Sequence, residues 1–306
     1  MSEPKTPQAW ANQISTLLNT VLGTDRFPVD VPEVAKEISR QRFADDPITM
    51  VKGADLPGFE GALHPAPPGK KGWGILYNSG ISSQGRIRFT LAHEFGHYLL
   101  HRRFSPKGLQ CGQNDVALGS LDSDEETRKR LEREADVFAT YLLMPLDDFR
   151  RQIQPREPAD LERLSACANR YGVSLMAAIR RWLEYTEKRA VLVVSREGFI
   201  LWSQSSEPAR KTRASFKTFG CDPVEIPAAS LAANPPESMV DARLGKEFPC
   251  GVWFADEEVK EMAIPSEQYD FVLSLLLLKD RDRNPILEED PEEDAYDRLM
   301  QITEGQ

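Results

Sequence analysis

The sequence lacks the features that mark exported or membrane proteins. It contains only four cysteines, widely scattered and without a CxxC pair, so we expect neither a disulfide framework nor a zinc knuckle. The apolar run near the C-terminal end, Phe271–Leu278, is far too short to span a membrane, and the N-terminus shows no basic start followed by an apolar stretch. These absences predict a cytoplasmic protein with no membrane partner.

An excess of basic residues is also missing. The chain has 38 Lys and Arg against 48 Asp and Glu, which gives a net charge of −10. That balance argues against broad binding to nucleic acids or anionic membranes. Apolar residues make up 41% of the sequence and charged residues 28%, as in ordinary globular proteins, and 306 residues are enough for about two domains.

The N-terminal third alternates helical and extended patterns. Apolar spacing and the positions of Pro and Gly predict helices at Ala9–Leu22 and Val31–Ile38 and strands at Ile48–Val51, Phe59–Leu63 and Gly74–Tyr77. A longer helix is predicted to begin near Thr90, whose hydroxyl is a suitable N-cap, and to continue to about Arg103.

Histidine is scarce, with 4 residues in the chain, yet two of them form an HExxH motif on this predicted helix. His93 and His97 lie on one helix face, about 6 Å apart along the axis, so both imidazoles can reach one zinc ion. Glu94 projects beside that position and can take a proton from a water molecule and return it to a leaving amine. The motif therefore predicts a zinc-dependent peptidase.

The other two histidines receive plainer interpretations. His101 lies eight residues after His93, about 12 Å along the helix and off its face, so we expect a helix-end histidine near the C-terminal dipole. His64 lies beside prolines, and we expect a solvated loop histidine; stabilisation of an oxyanion is the alternative.

The next predicted helix offers the third protein ligand. A capping-box pattern, Ser123-x-x-Glu126, starts it and Met144-Pro145 ends it. Its apolar stripe, which we expect to face the core, consists of Leu131, Ala135, Phe138, Ala139 and Leu142.

Acidic residues on this helix differ in their position relative to the stripe. Glu132 and Asp136 are four residues apart and flank it, whereas Glu134 points away. We assign Glu132 as the zinc ligand and Asp136 as an acceptor that orients a ligating histidine without touching the metal. Glu134, like Glu125 and Glu126, is expected on the solvated face.

Two blocks of the sequence together resemble a known family. The segments FTLAHEFGHYLLH and LEREADVFATYLLMP look like the paired signature of ImmA/IrrE-type zinc metallopeptidases, and the resemblance extends over residues 8–155. It implies an α+β fold whose peptidase domain is thermolysin-like, of the gluzincin type.

The resemblance also implies roles and a substrate. It assigns the metal to His93, His97 and the Glu132 position, with Glu94 as the general base. Members of the family cleave helix-turn-helix transcriptional repressors, which switches on stress responses or mobile elements, so a repressor of this kind is the expected protein partner.

A second helical segment follows the peptidase blocks. Within residues 156–188, the stretch Ala168–Ser174 has the small residue, glycine turn and apolar residue of a helix-turn-helix, with a slight local excess of basic residues. Packing against the peptidase domain is the simpler interpretation, and DNA binding is the alternative.

The remainder is expected to form a small α/β domain. The patterns predict a hairpin of Val191–Val194 and Phe199–Trp202, strands at Gly251–Ala255 and Val259–Ile264, and a helix at Glu267–Leu278. Longer ImmA/IrrE-like chains can carry a C-terminal sensor domain of GAF type, so the resemblance allows a GAF-like fold here. A structural or substrate-docking module is the alternative.

These observations predict four segments. They are a zinc metallopeptidase domain (1–155), a helical segment (156–188), a sensor or docking domain (189–280) and an acidic tail (281–306). The rival hypothesis is a DNA-binding or sensory transcription regulator with a structural or sensing metal site. Glu94 separates the two hypotheses, because a structural site needs no carboxylate at that position and usually has four protein ligands.

Overall fold

The computed structural model describes residues 3–104, 109–112, 125–218, 220, 222–235, 243–266 and 270–281. They belong to two units that interleave along the chain: one holds the described residues of Met1–Phe149 and Asn169–Ser174, the other those of Arg150–Ala168 and Leu175–Gln306. The predicted capping residue Ser123 and the acidic tail from residue 282 lie outside the described residues. The domain limits inferred from the sequence stay predictions.

The first unit begins with two helices that carry side-chain caps. Helix α1 (Pro7–Leu22) is capped by Thr6 and α2 (Val31–Arg42) by Asp30, and each capping side chain accepts a backbone N–H of the first turn. A proline in the first turn of each helix costs no hydrogen bond there. Both helices predicted from the sequence are confirmed.

Four strands form the sheet of this unit: β1 (Ile48–Ala54), β2 (Phe59–Pro65), β3 (Trp73–Asn78) and β4 (Leu109–Gly112). Their order is β1-β3-β2-β4, with β1 parallel to β3 and β2 antiparallel to both β3 and β4. The three predicted strands are confirmed. The site depends on this sheet because α3, the helix with the HExxH motif, packs on β2 and β3.

Helix α3 spans Gln84–His101 and begins earlier than predicted. Its N-cap is Ser83, whose side chain accepts the N–H of Arg86, so the start predicted at Thr90 is wrong. Thr90 lies inside the helix, and its hydroxyl donates to Glu60 over 3.3 Å. A buried threonine facing a carboxylate on β2 does not need to end the helix to satisfy its hydroxyl.

Helix α4 spans Glu125–Leu143 and packs closely on α3. The predicted apolar stripe is buried throughout: Leu131, Ala135, Phe138, Ala139 and Leu142. Gly96 permits the close approach, because a Cβ added there would lie 3.0 Å from Cδ1 of Phe138 and 3.2 Å from Cα of Ala135. The absence of a side chain at Gly96 thus sets the spacing that brings the acids of α4 to the histidines of α3.

Three short helices follow α4: α5 (Leu146–Gln152), α6 (Leu161–Tyr171) and α7 (Leu175–Leu183). Gly172, at φ +62°, makes the tight turn between α6 and α7. Helix α7 packs on β5 and β6 of the second sheet. Within α7, Arg181 is fully buried and Arg180 donates to Gln204 on β6 over 2.9 Å.

The second unit is built on an antiparallel sheet of five strands: β5 (Ala190–Arg196), β6 (Phe199–Ser205), β7 (Lys246–Phe248), β8 (Val259–Ser266) and β9 (Phe271–Leu278). Their order is β6-β5-β9-β8-β7, and the short helix α8 (Glu207–Lys211) packs on β5 and β6. The predicted β5–β6 hairpin is confirmed. Its turn residues Glu197 and Gly198 have φ of 50° and 87°, as a tight hairpin of matching twist requires.

Two predictions in this unit are wrong. The helix predicted at Glu267–Leu278 is strand β9 over Phe271–Leu278, in the middle of the sheet between β5 and β8, while residues 267–269 lie outside the described residues. A run that is apolar except at Ser274 suits a strand buried on both faces as well as a buried helix, so periodicity could not separate them. The strand predicted at Gly251–Ala255 is a turn region, with one isolated bridge from Phe254 to Glu257.

The mixed α+β architecture predicted from the sequence is confirmed. Across the part of the chain that the structure describes, no helix has both the length and the apolar character to cross a lipid bilayer.

Candidate metal centre

Two helices bring together the residues that the motif singled out. His93 and His97 lie one turn apart on α3, and Glu132 projects from the facing side of α4. His93 Nε2 lies 3.0 Å from His97 Nε2 and 3.1 Å from Glu132 Oε2, and His97 Nε2 lies 3.2 Å from Glu132 Oε1. Within the described residues, these three form the one group of His, Cys, Asp or Glu side chains close enough to share a metal ion.

The spacing of the three side chains fits a tetrahedral zinc site. With metal–ligand bonds of about 2.0–2.1 Å, two ligands of a tetrahedron lie about 3.3 Å apart. The observed separations of 3.0–3.2 Å are close to that value. Both histidines are buried, whereas the Glu132 side chain is 27% exposed, so the group is open to solvent on the α4 side only in part.

Asp136 fixes the proton position on His93. Its Oδ1 lies 2.7 Å from His93 Nδ1, and a carboxylate can only accept, so His93 donates from Nδ1. In a neutral imidazole the other nitrogen, Nε2, then carries a lone pair. Asp136 therefore lies where the sequence predicted it, beside a histidine of the motif and outside the group of three.

His97 is oriented through a longer chain of contacts. Its Nδ1 lies 2.9 Å from His101 Nδ1, and His101 Nε2 lies 3.0 Å from Glu134 Oε2. Because the Glu134 carboxylate accepts, a neutral His101 holds its hydrogen on Nε2 and accepts at Nδ1, so His97 donates from Nδ1. The Nε2 of His97 then also carries a lone pair.

His101 and Glu134 differ from their sequence-based interpretations. His101 does end α3, but it is buried and contacts a motif histidine, so the view of it as only a helix-end residue is incomplete. Glu134 was expected on the solvated face; its side chain is 38% exposed, but its carboxylate also contacts His101. Position on the helix wheel decides which face a Cα lies on, yet a Glu side chain is long enough to reach round to the end of a neighbouring helix.

The electrostatics of the cluster follow from these contacts. Burial and the neighbouring charge of His97 lower the pKa of His101 to about 3, so His101 is neutral near pH 7. Burial alone would raise the pKa of Glu132, but when His97 and His93 are protonated their charge and hydrogen bonds outweigh it and hold that pKa below its usual value. When both imidazoles are neutral, their Nε2 atoms face Glu132 with lone pairs instead. Two imidazole lone pairs and one carboxylate thus converge on a single point. Such an arrangement of acceptors fits a cation, and its two-nitrogen, one-carboxylate donor set fits zinc.

Glu94 lies on the same helix, and its side chain packs against the sheet. Its side chain is fully buried, and a Cβ added to Gly61 on β2 would lie 2.5 Å from its Oε1. A nearby ion pair ties the start of α3 to the same strand: Arg86 donates to Glu60, with a Nε–Oε1 distance of 2.8 Å. Gly61, Glu60 and Arg86 were not identified from the sequence, since only the packing of α3 on β2 brings Gly61 to Glu94 and Glu60 to Arg86.

His64 lies on β2 instead of in a loop, so the loop placement is wrong. It pairs with Gly74 of β3 and is partly buried, and burial lowers the pKa of its imidazole. Within the described part of the chain, the structure shows no hydrogen bond from His64 to the cluster.

Comparison with known proteins adds one positive finding. Residues 44–183 match the family model of the IrrE N-terminal-like domain, Peptidase_M78, which covers somewhat less than half of the chain. A search of curated proteins found no match. The matched residues include α3, α4 and the whole His93–His97–Glu132 group, and the match extends beyond residue 155 into α6 and α7. The match supports the resemblance of this segment to ImmA/IrrE-type peptidases that the paired motif blocks indicated.

Proposed function

We propose that the protein is a zinc-dependent endopeptidase, with His93, His97 and Glu132 as metal ligands and Glu94 as general base. The observation that carries the proposal is the convergence of three acceptor atoms within 3.0–3.2 Å of one another. Asp136 and His101 each take a hydrogen bond from Nδ1 of a histidine, and that turns both Nε2 lone pairs inward.

Zinc, when bound, supplies a Lewis acid that makes water nucleophilic near neutral pH and polarises the scissile carbonyl. The protein's own residues supply the proton transfers. Glu94, adjacent to His93 on a rigid helix, accepts the proton from the attacking water and delivers it to the departing amine nitrogen. The carboxylate is held in one place by its burial against β2 at Gly61.

Three protein ligands leave one position of a tetrahedral ion open, which suits catalysis. Closed structural sites usually have four protein ligands. A second candidate, a DNA-binding regulator with a structural metal, has less support. In α7, which would have to contact DNA as the second helix of a helix-turn-helix, Arg181 is buried and Arg180 bonds Gln204, so neither faces outward as a free cation.

The proposed substrate is a helix-turn-helix transcriptional repressor, cleaved to start a stress or mobile-element response. The support is the family match over residues 44–183 together with the paired motif blocks. We propose a thermolysin-like core for the first unit and a GAF-like sensor or docking role for the second. Among the described residues of the second unit there is no group of three His, Cys, Asp or Glu side chains close enough to hold a metal.

The test is co-incubation of the purified protein with the helix-turn-helix regulator encoded nearest to it. We expect cleavage at a defined site by the wild-type protein. Glu94→Gln should retain zinc and lose cleavage by about 10²–10⁴-fold, because proton transfer is removed while the ligands stay. Glu125→Gln, an exposed substitution on α4 away from the cluster, is the matched control.

Two results would count against the proposal. Full activity in the zinc-loaded Glu94→Gln protein would remove Glu94 from the reaction. Equally fast digestion of casein and of the repressor would contradict a dedicated regulatory protease.

A further inference from the structure

We propose that His101 and Glu134 form a positioning relay for the metal ligand His97, an inference that rests on the proposed metallopeptidase function. The relay is His97 Nδ1 to His101 Nδ1 at 2.9 Å and His101 Nε2 to Glu134 Oε2 at 3.0 Å. Neither residue touches the group of three ligand atoms, so each acts through His97.

The two ligand histidines are oriented by different means. His93 donates directly to the Asp136 carboxylate, the arrangement found beside many metal-bound histidines. His97 instead donates to a second imidazole, and the carboxylate of Glu134 lies one ring further away. The relay therefore performs for His97 what Asp136 performs for His93, with the carboxylate one ring further from the ligand.

Because both rings of the relay are buried, loss of His101 would leave His97 without a replacement acceptor. His97 has no exposed surface and His101 is 2% exposed, so no water replaces a lost acceptor at His97 Nδ1 at low cost. Without His101, a hydrogen on His97 Nδ1 has no acceptor, so the tautomer that carries it there is no longer favoured. The alternative tautomer places that hydrogen on Nε2, where it blocks the lone pair that binds the metal.

Glu134 completes the relay by selecting the tautomer of His101. Its side chain is 38% exposed, so it can be replaced without opening a cavity. A carboxylate at Nε2 keeps the His101 hydrogen there and leaves Nδ1 as acceptor. The chain of three residues is thus ordered from the solvent-facing acid inward to the ligand.

The test measures metal affinity, independent of catalysis, on the full-length protein. Zinc affinity is determined by competition with a chromophoric chelator, and the ligand field is followed in the visible spectrum of the cobalt-substituted protein. Outer hydrogen-bond partners of ligands are worth about 10–100-fold in metal affinity, which sets the scale.

His101→Phe keeps a ring of similar size but offers no acceptor, and we expect zinc affinity to fall by about 10–100-fold with a changed cobalt spectrum. His101→Asn presents its amide oxygen near the former Nδ1, and we expect it to recover most of the affinity. Glu134→Ala should weaken binding, and Glu134→Gln, which still accepts, should weaken it less. Glu125→Gln should match the wild type.

Equal weakening by His101→Phe and His101→Asn would show a packing role and overturn the relay. Wild-type affinity and an unchanged spectrum in His101→Phe would overturn it too. If His101→Phe does not fold, the Glu134 pair decides: equal affinities for Glu134→Ala and the wild type reject the relay. A wild-type protein that binds no zinc would instead reject the proposed function itself, so the two failures are distinguishable.

Discussion

The substitution Gly61→Ala tests whether β2 holds the general base in place. A Cβ at this position would lie 2.5 Å from Oε1 and 3.0 Å from Cγ of Glu94, and 2.6 Å from Cγ2 of Thr90. Relaxed contacts between carbon and other heavy atoms are about 3.5–4.0 Å, so the carboxylate must move by about 1 Å. Glu94 is fully buried, and the displaced carboxylate therefore leaves its catalytic position instead of swinging into solvent.

We expect Gly61→Ala to lower the reaction rate more severely than the stability of the fold. A misplacement of about 1 Å can reduce the rate on the order of 10²-fold, while overpacking costs about 1–3 kcal/mol of folding free energy. The atoms nearest the added methyl belong to Glu94 and Thr90, so zinc content should stay at the wild-type level. The assay is kcat and KM on a peptide that the wild-type protein cleaves, with zinc measured in the same preparation.

Two further variants separate the causes. In Gly85→Ala the added Cβ would meet its nearest atoms at 3.4–3.5 Å, an ordinary contact, so this control should keep full activity. Adding Thr90→Ser to Gly61→Ala removes the 2.6 Å clash and should restore stability but not kcat. Wild-type kcat in the folded, zinc-loaded Gly61→Ala protein would refute the reasoning.

Three other changes have defined outcomes. Gly96→Ala should push α3 away from α4, since its Cβ would lie 3.0 Å from a ring carbon of Phe138. We expect lower thermal stability and weaker zinc binding together. A loss of stability alone would contradict the idea that helix spacing positions the metal group. Glu261→Ala removes a fully buried carboxylate that accepts four hydrogen bonds in the second unit. Calorimetry should show a loss of unfolding free energy on the order of 3 kcal/mol, with zinc content unchanged. A loss below about 1 kcal/mol would contradict this account. In zinc-free protein, the pKa of His101 is about 3 in the folded chain and about 6.5 in the unfolded chain. As the pH falls through this window, the unfolded chain takes up a proton at His101 before the folded chain does. The free energy of unfolding should therefore fall with pH there, by at most about 1.4 kcal/mol per pH unit. Denaturant titrations should show a shallower pH dependence in His101→Phe, and identical slopes would contradict burial as the cause.

The candidate ligands could be predicted from the sequence because residue spacing within each helix fixes which side chains share a face. Spacings of four residues place His93 with His97 and Glu132 with Asp136 whatever surrounds the helices. The apolar stripe on α4 then decides which of its acids can face α3. The structure brings His93, His97 and Glu132 together as these rules predict, whereas their roles in binding and catalysis await the experiments above.

The contacts that sequence reasoning missed depend on tertiary packing. Whether Glu134 reaches His101 depends on the spacing of α3 and α4, which Gly96 sets. Gly61 becomes a neighbour of Glu94 only because β2 lies inside the sheet under α3. A repeated histidine at every fourth position, from His93 to His101, was the one sequence signal that pointed to the relay.

Strand β9 shows a different limit. Phe271–Leu278 is apolar except at Ser274, and its middle residues are buried on both faces of the sheet, so the run carries no period of two. For residues 156–188 the sequence favoured packing against the peptidase domain, whereas the structure shows α7 packed on β5 and β6 of the second sheet. A truncation near residue 190 would therefore expose buried side chains of α7 such as Trp182, and point substitutions test the second unit more cleanly.

The metal content of the purified protein tests the central claim most directly. Elemental analysis should give about one zinc per wild-type chain, since the described residues contain one group of side chains close enough to share a metal ion. His93→Ala, His97→Ala and Glu132→Ala should each lose most of that zinc, whereas Glu94→Gln should keep it. Full zinc occupancy in all three ligand variants, or a wild-type protein that takes up no zinc, would contradict the account.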